Sequence, residues 1–441
     1  MRQPVARVAR AVLIVAIGFV GISHGADQTA AEFGPSPILP SPEKRLLPTL
    51  HIAKAVPWVG NAMPTPAQRL RVAALARGLE HPRWLYVLPN GDVLVAESDT
   101  PSKPDDGKGI RGKIQKFVMK RAGSGTRPSA NRITLLHDVA GDGQNVERHT
   151  FLQGLNSPIG MALVGKDIYV ASTDAVVRFP YETGDTEIRA DPQQVAVLPA
   201  GTINHHWTKS LIASPDGKKL FVGVGSNSNA AENGIDAEKE RAAVWEIDLK
   251  TGNHRIYADG LRNPVGMAWQ PDTGQLWVSV NERDELGDHL PPDYMTAVHD
   301  GAFYGFPFSY YGQHVDERVK QQNPEMVAKA IWPDYALGAH TASLGLCWSD
   351  DAKLPPPFVH GMFVGQHGSW NRKVRSGYKV IFVAFEKGKP SGLPIDVLGG
   401  FLNAKGHAQG RPVGLAMDKH GALLVADDVG NTVWRITAAS N

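Results

Sequence analysis

Cysteine is nearly missing. Cys347 is the only one in 441 residues, which excludes an internal disulfide framework and any metal cluster built on thiolates. Its apolar setting, "SLGLCWSDD", predicts a buried and inert thiol. An excess of one charge is missing too. Lys and Arg number 46 against 44 Asp and Glu, for a net charge of +2, and no basic stripe stands out, so nothing points to nucleic acid or a polyanionic partner. Walker A, G-x-S-x-G and H-E-x-x-H motifs are absent, and "GVGSNS" after a strand lacks the third glycine of a dinucleotide fingerprint. What the chain has in quantity is Gly (46) and Pro (32), a turn-rich composition that favours β architecture over helical bundles.

The N-terminus has three parts. Arg2, Arg7 and Arg10 precede the uncharged run "AVLIVAIGFVGIS", and "SHGAD" then offers small residues at Ser23 and Gly25. That is the form of a secretory signal peptide, with cleavage expected before Ala26. The run is short for a bilayer span, which takes about 20 apolar residues. Residues 1–25 are therefore expected to be removed, leaving an exported, periplasmic protein with no membrane insertion; an uncleaved membrane anchor is the alternative. A Pro-rich arm (26–65, "FGPSPILPSPEKRLLP") is expected to be loosely packed.

From residue 66 to 441 one theme repeats. "RVAALARGLEHPRWLYVLPNGDVLVAES", "FLQGLNSPIGMALVGKDIYVAST", "YADGLRNPVGMAWQPDTGQLWVSVNE" and "GRPVGLAMDKHGALLVADD" are similar copies. "GTINHHWTKSLIASPDGKKLFVGVGS" and the region from "GAHTASLGLCWSDDAKLP" into "GMFVGQHGSW" are more divergent ones. Short apolar strands bounded by Asn-Gly and Asp-Gly turns are hairpin signals. Their recurrence at roughly 50 to 80 residues predicts an all-β, six-bladed β-propeller of four-stranded antiparallel blades; a pair of β-sandwiches is the competing architecture. "QRLRVAALARG" is expected to supply an outer strand that closes the ring with the last blade.

Aligned by their turns, Pro215 matches Pro271, and nine positions earlier stand His206 and Arg262. The other copies place Asn156 beside Ser157, His340 beside Thr341, and Arg411 at this point. Equivalent points of different blades are related by rotation about the axis, so these side chains are expected to form one ring at the mouth of the central channel. A neutral base, guanidinium groups and amides together suit an anionic or polyhydroxylated ligand. Two further clusters stand out. Glu282, Asp284, Glu285, Asp288 and Asp293 crowd one loop, which reads equally as a hard-cation site or as a solvated acidic loop. His367, Trp370, Asn371, Arg372, Lys373 and Arg375 read as a stacking platform for a flat anion or as an exposed basic hairpin.

The stretches "NHHWTKSL", "GLRNPVGMAW", "VNERDELGD", "DGAFYGFP", "GAHTASLGL", "QHGSWNR" and "GRPVGLA" resemble the sorbosone dehydrogenase branch of the soluble aldose dehydrogenases that depend on pyrroloquinoline quinone (PQQ). The resemblance runs from about Gln68 to Ile436. It implies PQQ over the central channel, with a Ca²⁺ ion beneath its quinone side. It makes His206 the general base and Arg262 the group that stabilises charge on the quinone oxygens. Asn263 and His340 would help hold cofactor or substrate. Lys373 and Arg411 would clamp the cofactor's carboxylates, with Arg372 the alternative to Lys373. Calcium would sit on main-chain oxygens near Glu282 and Arg283. A small sugar, an aldose or aldosone, would be the substrate, and a cytochrome or quinone the external electron acceptor. The chain departs from the glucose dehydrogenases in having His205 where they have Asp, Glu282-Arg283 where they have Gly-Pro, and Val413 where they have a second arginine. A metal-dependent propeller lactonase, or a non-catalytic propeller that binds a glycan or protein, are the alternatives.

Overall fold

A computed structural model describes residues 31–43, 49–101, 121, 128–138 and 141–439. The expected signal peptide lies outside the described residues. Six antiparallel sheets follow one another along the chain, each starting from an inner strand: Pro82–Val87, Gly160–Val164, Lys209–Ala213, Pro264–Trp269, Ser343–Trp348 and Pro412–Met417. The architecture is the six-bladed propeller that the repeats predict. The fourth strand of the sixth blade is Leu70–Arg77, paired with Thr432–Ala438 from the other end of the chain. The first stretch after the arm thus closes the ring, as read from the sequence. Among the described residues no helix is long and apolar enough to cross a membrane.

A small residue early in the inner strands explains how blades approach one another. A Cβ added to Gly160 would lie 2.3 Å from the main-chain nitrogen of Leu211 in the next blade. One on Gly266 would meet Leu344 O at 2.4 Å, on Gly345 Val413 O at 2.1 Å, and on Gly414 Arg83 O at 2.7 Å. Each glycine lets a neighbouring backbone close in where a methyl group would hold it off. Apolar side chains of adjacent blades fill the space outside this hub, with Trp245, Trp277 and Trp434 fully buried. On the axis a cavity of about 280 Å³ is lined by all six inner strands, through residues such as Trp84, Met161, Ser210, Met267, Leu346 and Leu415.

The described parts of the arm are fastened to the propeller at several points, although most of residues 35–43 are exposed. Phe33–Gly34 extends the fourth blade and Thr65–Pro66 the fifth. Between them the chain fastens loops of the polar face: Glu43 N donates to Leu286 O (2.8 Å), His51 N to Trp370 O (2.8 Å) and Val56 N to Ala408 O (2.8 Å). Glu32 takes both forks of Arg372, at 2.8 and 3.1 Å, with the two side chains 4% and 3% exposed. Removing one partner of so buried a pair strands the other charge and costs about 3–5 kcal/mol. Glu32→Ala is accordingly expected to lower the urea midpoint by an amount that corresponds to this loss; an unchanged midpoint would show that the arm is dispensable.

Candidate active site

The inner strands begin at one end of the hub, and the polar residues just before them gather there. His206 and Asn263 meet around Gly225: a Cβ at that glycine would lie 2.4 Å from both His206 Cβ and Asn263 Oδ1. Ser226 ties His206 to Arg262. Its carbonyl and hydroxyl oxygens each lie 3.0 Å from His206 Nδ1, while Ser226 N donates to Arg262 O at 2.8 Å. The Ser226 hydroxyl spends its own proton on Ser228 O (2.7 Å). Both of its oxygens therefore accept from Nδ1, which places the imidazole proton on Nδ1 and the lone pair on Nε2.

Arg262 is 3% exposed and heavily engaged. Nε donates to Asn229 O (3.1 Å), Nη1 to Asn281 O (3.0 Å) and Glu282 O (2.7 Å), and Nη2 to Asn229 Oδ1 (2.9 Å). Four of its five N–H groups are spent on tying two loops together, which leaves one on Nη2 for a ligand.

Arg411 is the opposite case. It is also 3% exposed, yet among the described residues its one side-chain hydrogen bond is a long one from Nη1 to Gly368 O (3.4 Å), and Nε and Nη2 find no partner there. Its guanidinium stacks over the Tyr378 ring at 4.9 Å. Asn263 Oδ1, on the same face, is likewise buried without a partner. A buried cation with idle planar donors fits a carboxylate or another flat anion.

Asp428 gathers the remaining charge of the hub. It accepts from Arg83 Nη1 at 2.7 Å and faces His367 Nε2 at 3.0 Å and His81 Nδ1 at 3.9 Å. Arg83 in turn lies over the Trp207 ring at 5.5 Å, which joins the first blade to the third across the mouth. Burial opposes Asp428's charge, but His367, His81 and Arg83 outweigh it and hold the carboxyl well below its usual range. Burial, against the pull of Asp428, lowers His367 to about 4. The unfolded chain then binds more protons than the folded one between pH 4 and 6.5, so this histidine makes stability rise with pH through that window. His367→Asn is expected to flatten the rise by about 2 kcal/mol between urea titrations at pH 4.5 and 6.5.

Several predicted residues have other work. Arg372 is committed to Glu32, not to the mouth. His340 braces two loops, with Nε2 donating to Gly287 O (2.8 Å) and Nδ1 accepting from Asn371 Nδ2 (3.3 Å), so neither nitrogen is left for a ligand. Lys373 is exposed, and its main chain serves His51 and Asp288. The 367–375 loop is neither platform nor free hairpin as a whole: His367 and Asn371 turn in, while Trp370 and Lys373 face out.

The acidic loop is neither solvated nor a carboxylate cage. Glu282, Asp288 and Asp293 are buried. Glu282 pairs with the fully buried Arg283, which also holds Asp316 at 3.0 Å. Asp293, raised to about 6 by burial, accepts from Glu282 N (2.9 Å) and Ser343 N (2.8 Å). A cation on the main-chain oxygen of Glu282 would share it with Arg262, whose Nη1 donates to it at 2.7 Å. Among the described residues the one group of His, Cys, Asp or Glu close enough for a metal is Asp272, Asp350 and His360, outside the mouth. Cys347 is only partly buried, short of the buried thiol expected, although the atoms packed around its sulfur push the thiol up to about 12.

Ser226, Asn229, Arg83, His81 and Asp428 were not singled out from the sequence. Their signal was present. In every blade the second strand ends beside the start of the first, and the six second strands run into "ESD", "STD", "GSN", "NER", "QHG" and "DDV". Polar endings repeated at this one point mark the other half of the ring.

A family model described as TrAA12-like matches residues 127–302 and 305–439. The chain belongs to the TrAA12-like family. An uncharacterised protein of Borreliella burgdorferi is 29% identical over 303 residues, covering 66% of this TrAA12-like chain and 79% of that relative. Among solved structures, the holo form of the pyranose dehydrogenase PQQ domain from Coprinopsis cinerea is 21% identical with a TM-score of 0.65, over 85% of this chain and 97% of that one. A calcium structure of Trichoderma reesei carbohydrate-active enzymes family AA12 has 16% identity and a TM-score of 0.67, covering 89% and 100%. The PQQ-bound aldose sugar dehydrogenase of Streptomyces coelicolor has 15% identity and a TM-score of 0.54, covering 85% and 99%. At these identities the likeness shows that the TrAA12-like chain shares their fold.

Proposed function

We propose that this TrAA12-like protein is a PQQ-dependent dehydrogenase that oxidises an aldose or aldosone. The observation that carries the reading is the buried guanidinium of Arg411, without a partner for Nε and Nη2 among the described residues and placed just before the sixth inner strand, as His206 and Asn263 precede the third and fourth. PQQ is a flat tricarboxylate that also carries a ring N–H, and these residues fit it: Arg411 offers forked donors to a carboxylate, Asn263 Oδ1 an idle acceptor for an N–H, and Arg262 keeps one N–H for a carbonyl oxygen. The similar pyranose dehydrogenase PQQ domain and PQQ-bound aldose sugar dehydrogenase support the same group. The chemistry that bound PQQ supplies is acceptance of a hydride.

His206 then acts as general base. Its Nε2 lone pair, set in place by the Nδ1–H bond to Ser226, takes the hydroxyl proton as the C–H of the same sugar carbon leaves with its electron pair and a C=O forms. Arg262 supports negative charge that develops on the accepting oxygen. Calcium, for which the calcium structure of the similar Trichoderma reesei AA12 protein is a precedent, would use the main-chain oxygens near Glu282 and Arg283. A cleaved leader at residues 1–25 would put the mature protein in the periplasm, with a cytochrome or quinone as the acceptor. The test is to add PQQ to the apoprotein, with and without Ca²⁺, and follow dye reduction over a panel of aldoses and aldosones. Sugar-dependent reduction that requires PQQ supports the reading; activity without PQQ, or none with any sugar, overturns it.

A further inference from the structure

Beneath the mouth lies a buried cationic frame that plays no part in the chemistry above. Lys209 opens the third blade's inner strand and is 0% exposed. Its ammonium lies 3.4 Å from both His206 O and Trp207 O. Trp207 O also accepts from Thr173 Oγ1 (3.0 Å), which accepts from Asn204 Nδ2 (2.9 Å). Asn204 Oδ1 accepts from Arg241 Nη1 (3.0 Å), and Arg241 Nη2 donates to Ala200 O (2.5 Å). Two cations therefore sit close together in the interior. Among the described residues neither has a carboxylate within ion-pairing distance, although Asp174 and Glu238 act on them from farther off.

We infer that Lys209 is a positioning residue: with Thr173, Asn204 and Arg241 it holds the irregular segment 204–207 by its carbonyls and so fixes the His206 ring against Ser226. The segment forms no strand of its own, so its main-chain oxygens need partners from elsewhere. Lys209 provides them from one side and Thr173 from the other. A stabilising role is disfavoured by sign. Burying an ammonium beside a guanidinium is unfavourable, and a methionine would fill the same space without that cost. Burial, then Arg241, pushes Lys209 down to about 7. Its neutral amine still carries two N–H groups for two carbonyls, so the hold does not depend on its charge.

This inference rests on His206 as the base, and its test separates the two. In apo Lys209→Met, the melting temperature is expected to stay level or rise. Amide exchange across 203–208 is expected to quicken about ten-fold while the rest of the chain is unchanged. In the loaded enzyme kcat is expected to fall by roughly ten- to 100-fold, with KM and PQQ affinity within about three-fold, as for a misplaced catalytic group. Thr173→Val removes the second donor to Trp207 O and is expected to give the same pattern more weakly; it decides the matter if Lys209→Met does not fold. A lowered melting temperature with unchanged local exchange would make Lys209 a packing residue and overturn the inference. If wild type shows no dehydrogenase activity, quickened exchange still upholds the hold on the segment and removes only its catalytic purpose.

Discussion

His206→Ala is expected to lower kcat with any accepted sugar by roughly 10²- to 10⁴-fold, the usual contribution of a placed general base, while PQQ still binds. The size of the effect follows from how the ring is held. Ser226 offers Nδ1 two oxygens that must both accept, so Nε2 is the basic nitrogen in every molecule rather than in half of them. Ser226 is itself pinned by Arg262 O, which puts base and guanidinium in one rigid unit. Because alanine removes only a group that acts as the proton leaves, KM is expected to move little. Steady-state kinetics with a saturating dye check this, and activity within about three-fold of wild type would remove His206 from the base role.

Arg411→Ala is expected to act in opposite directions on two measurements. Without ligand the guanidinium is a buried charge with idle donors, so its removal leaves the apoprotein as stable as before or more so. Affinity for PQQ is expected to drop by roughly 100-fold or more, because each charge-assisted hydrogen bond to a carboxylate contributes about 1.5–3 kcal/mol. Arg411→Lys would keep the charge and lose the planar fork and the stack on Tyr378, and is expected to fall in between. A loss of stability with unchanged PQQ affinity would show that Arg411 serves the fold. The contrast with Glu32→Ala is instructive: both touch a buried arginine at the polar face, but only Arg372 already has its anion.

The blades were legible because hairpin turns and the glycine early in several inner strands repeat at matching positions, and because "QRLRVAALARG" stands apart from the first blade as an unpaired strand. The ring was half legible. His206, Asn263, Arg262 and Arg411 sit at strand starts, where alignment by turns finds them, and the structure brings His206, Arg262 and Asn263 together around Gly225 and Ser226. Arg372 and His340 could not be told from ligand contacts, because their partners are distant in sequence: Glu32 lies 340 residues from Arg372, and Asn371 reaches His340 from the loop after the same blade's second strand, 31 residues on. The acidic loop misled for a related reason. Its charges are matched by Arg283 and by main-chain donors that composition does not reveal. The second-strand endings share no motif: "GVGSNS" reads as a broken nucleotide fingerprint until it is set beside the five equivalent corners.

The most direct measurement is a titration of the apoprotein with PQQ, read by the quenching of tryptophan fluorescence at fixed Ca²⁺, for wild type and Arg411→Ala side by side. The expected result is saturation at one PQQ per chain in wild type and a curve shifted by roughly 100-fold in the variant. No saturable binding to the wild-type chain, or identical curves for the two proteins, would contradict a hub in which six strand starts build one anion-binding mouth.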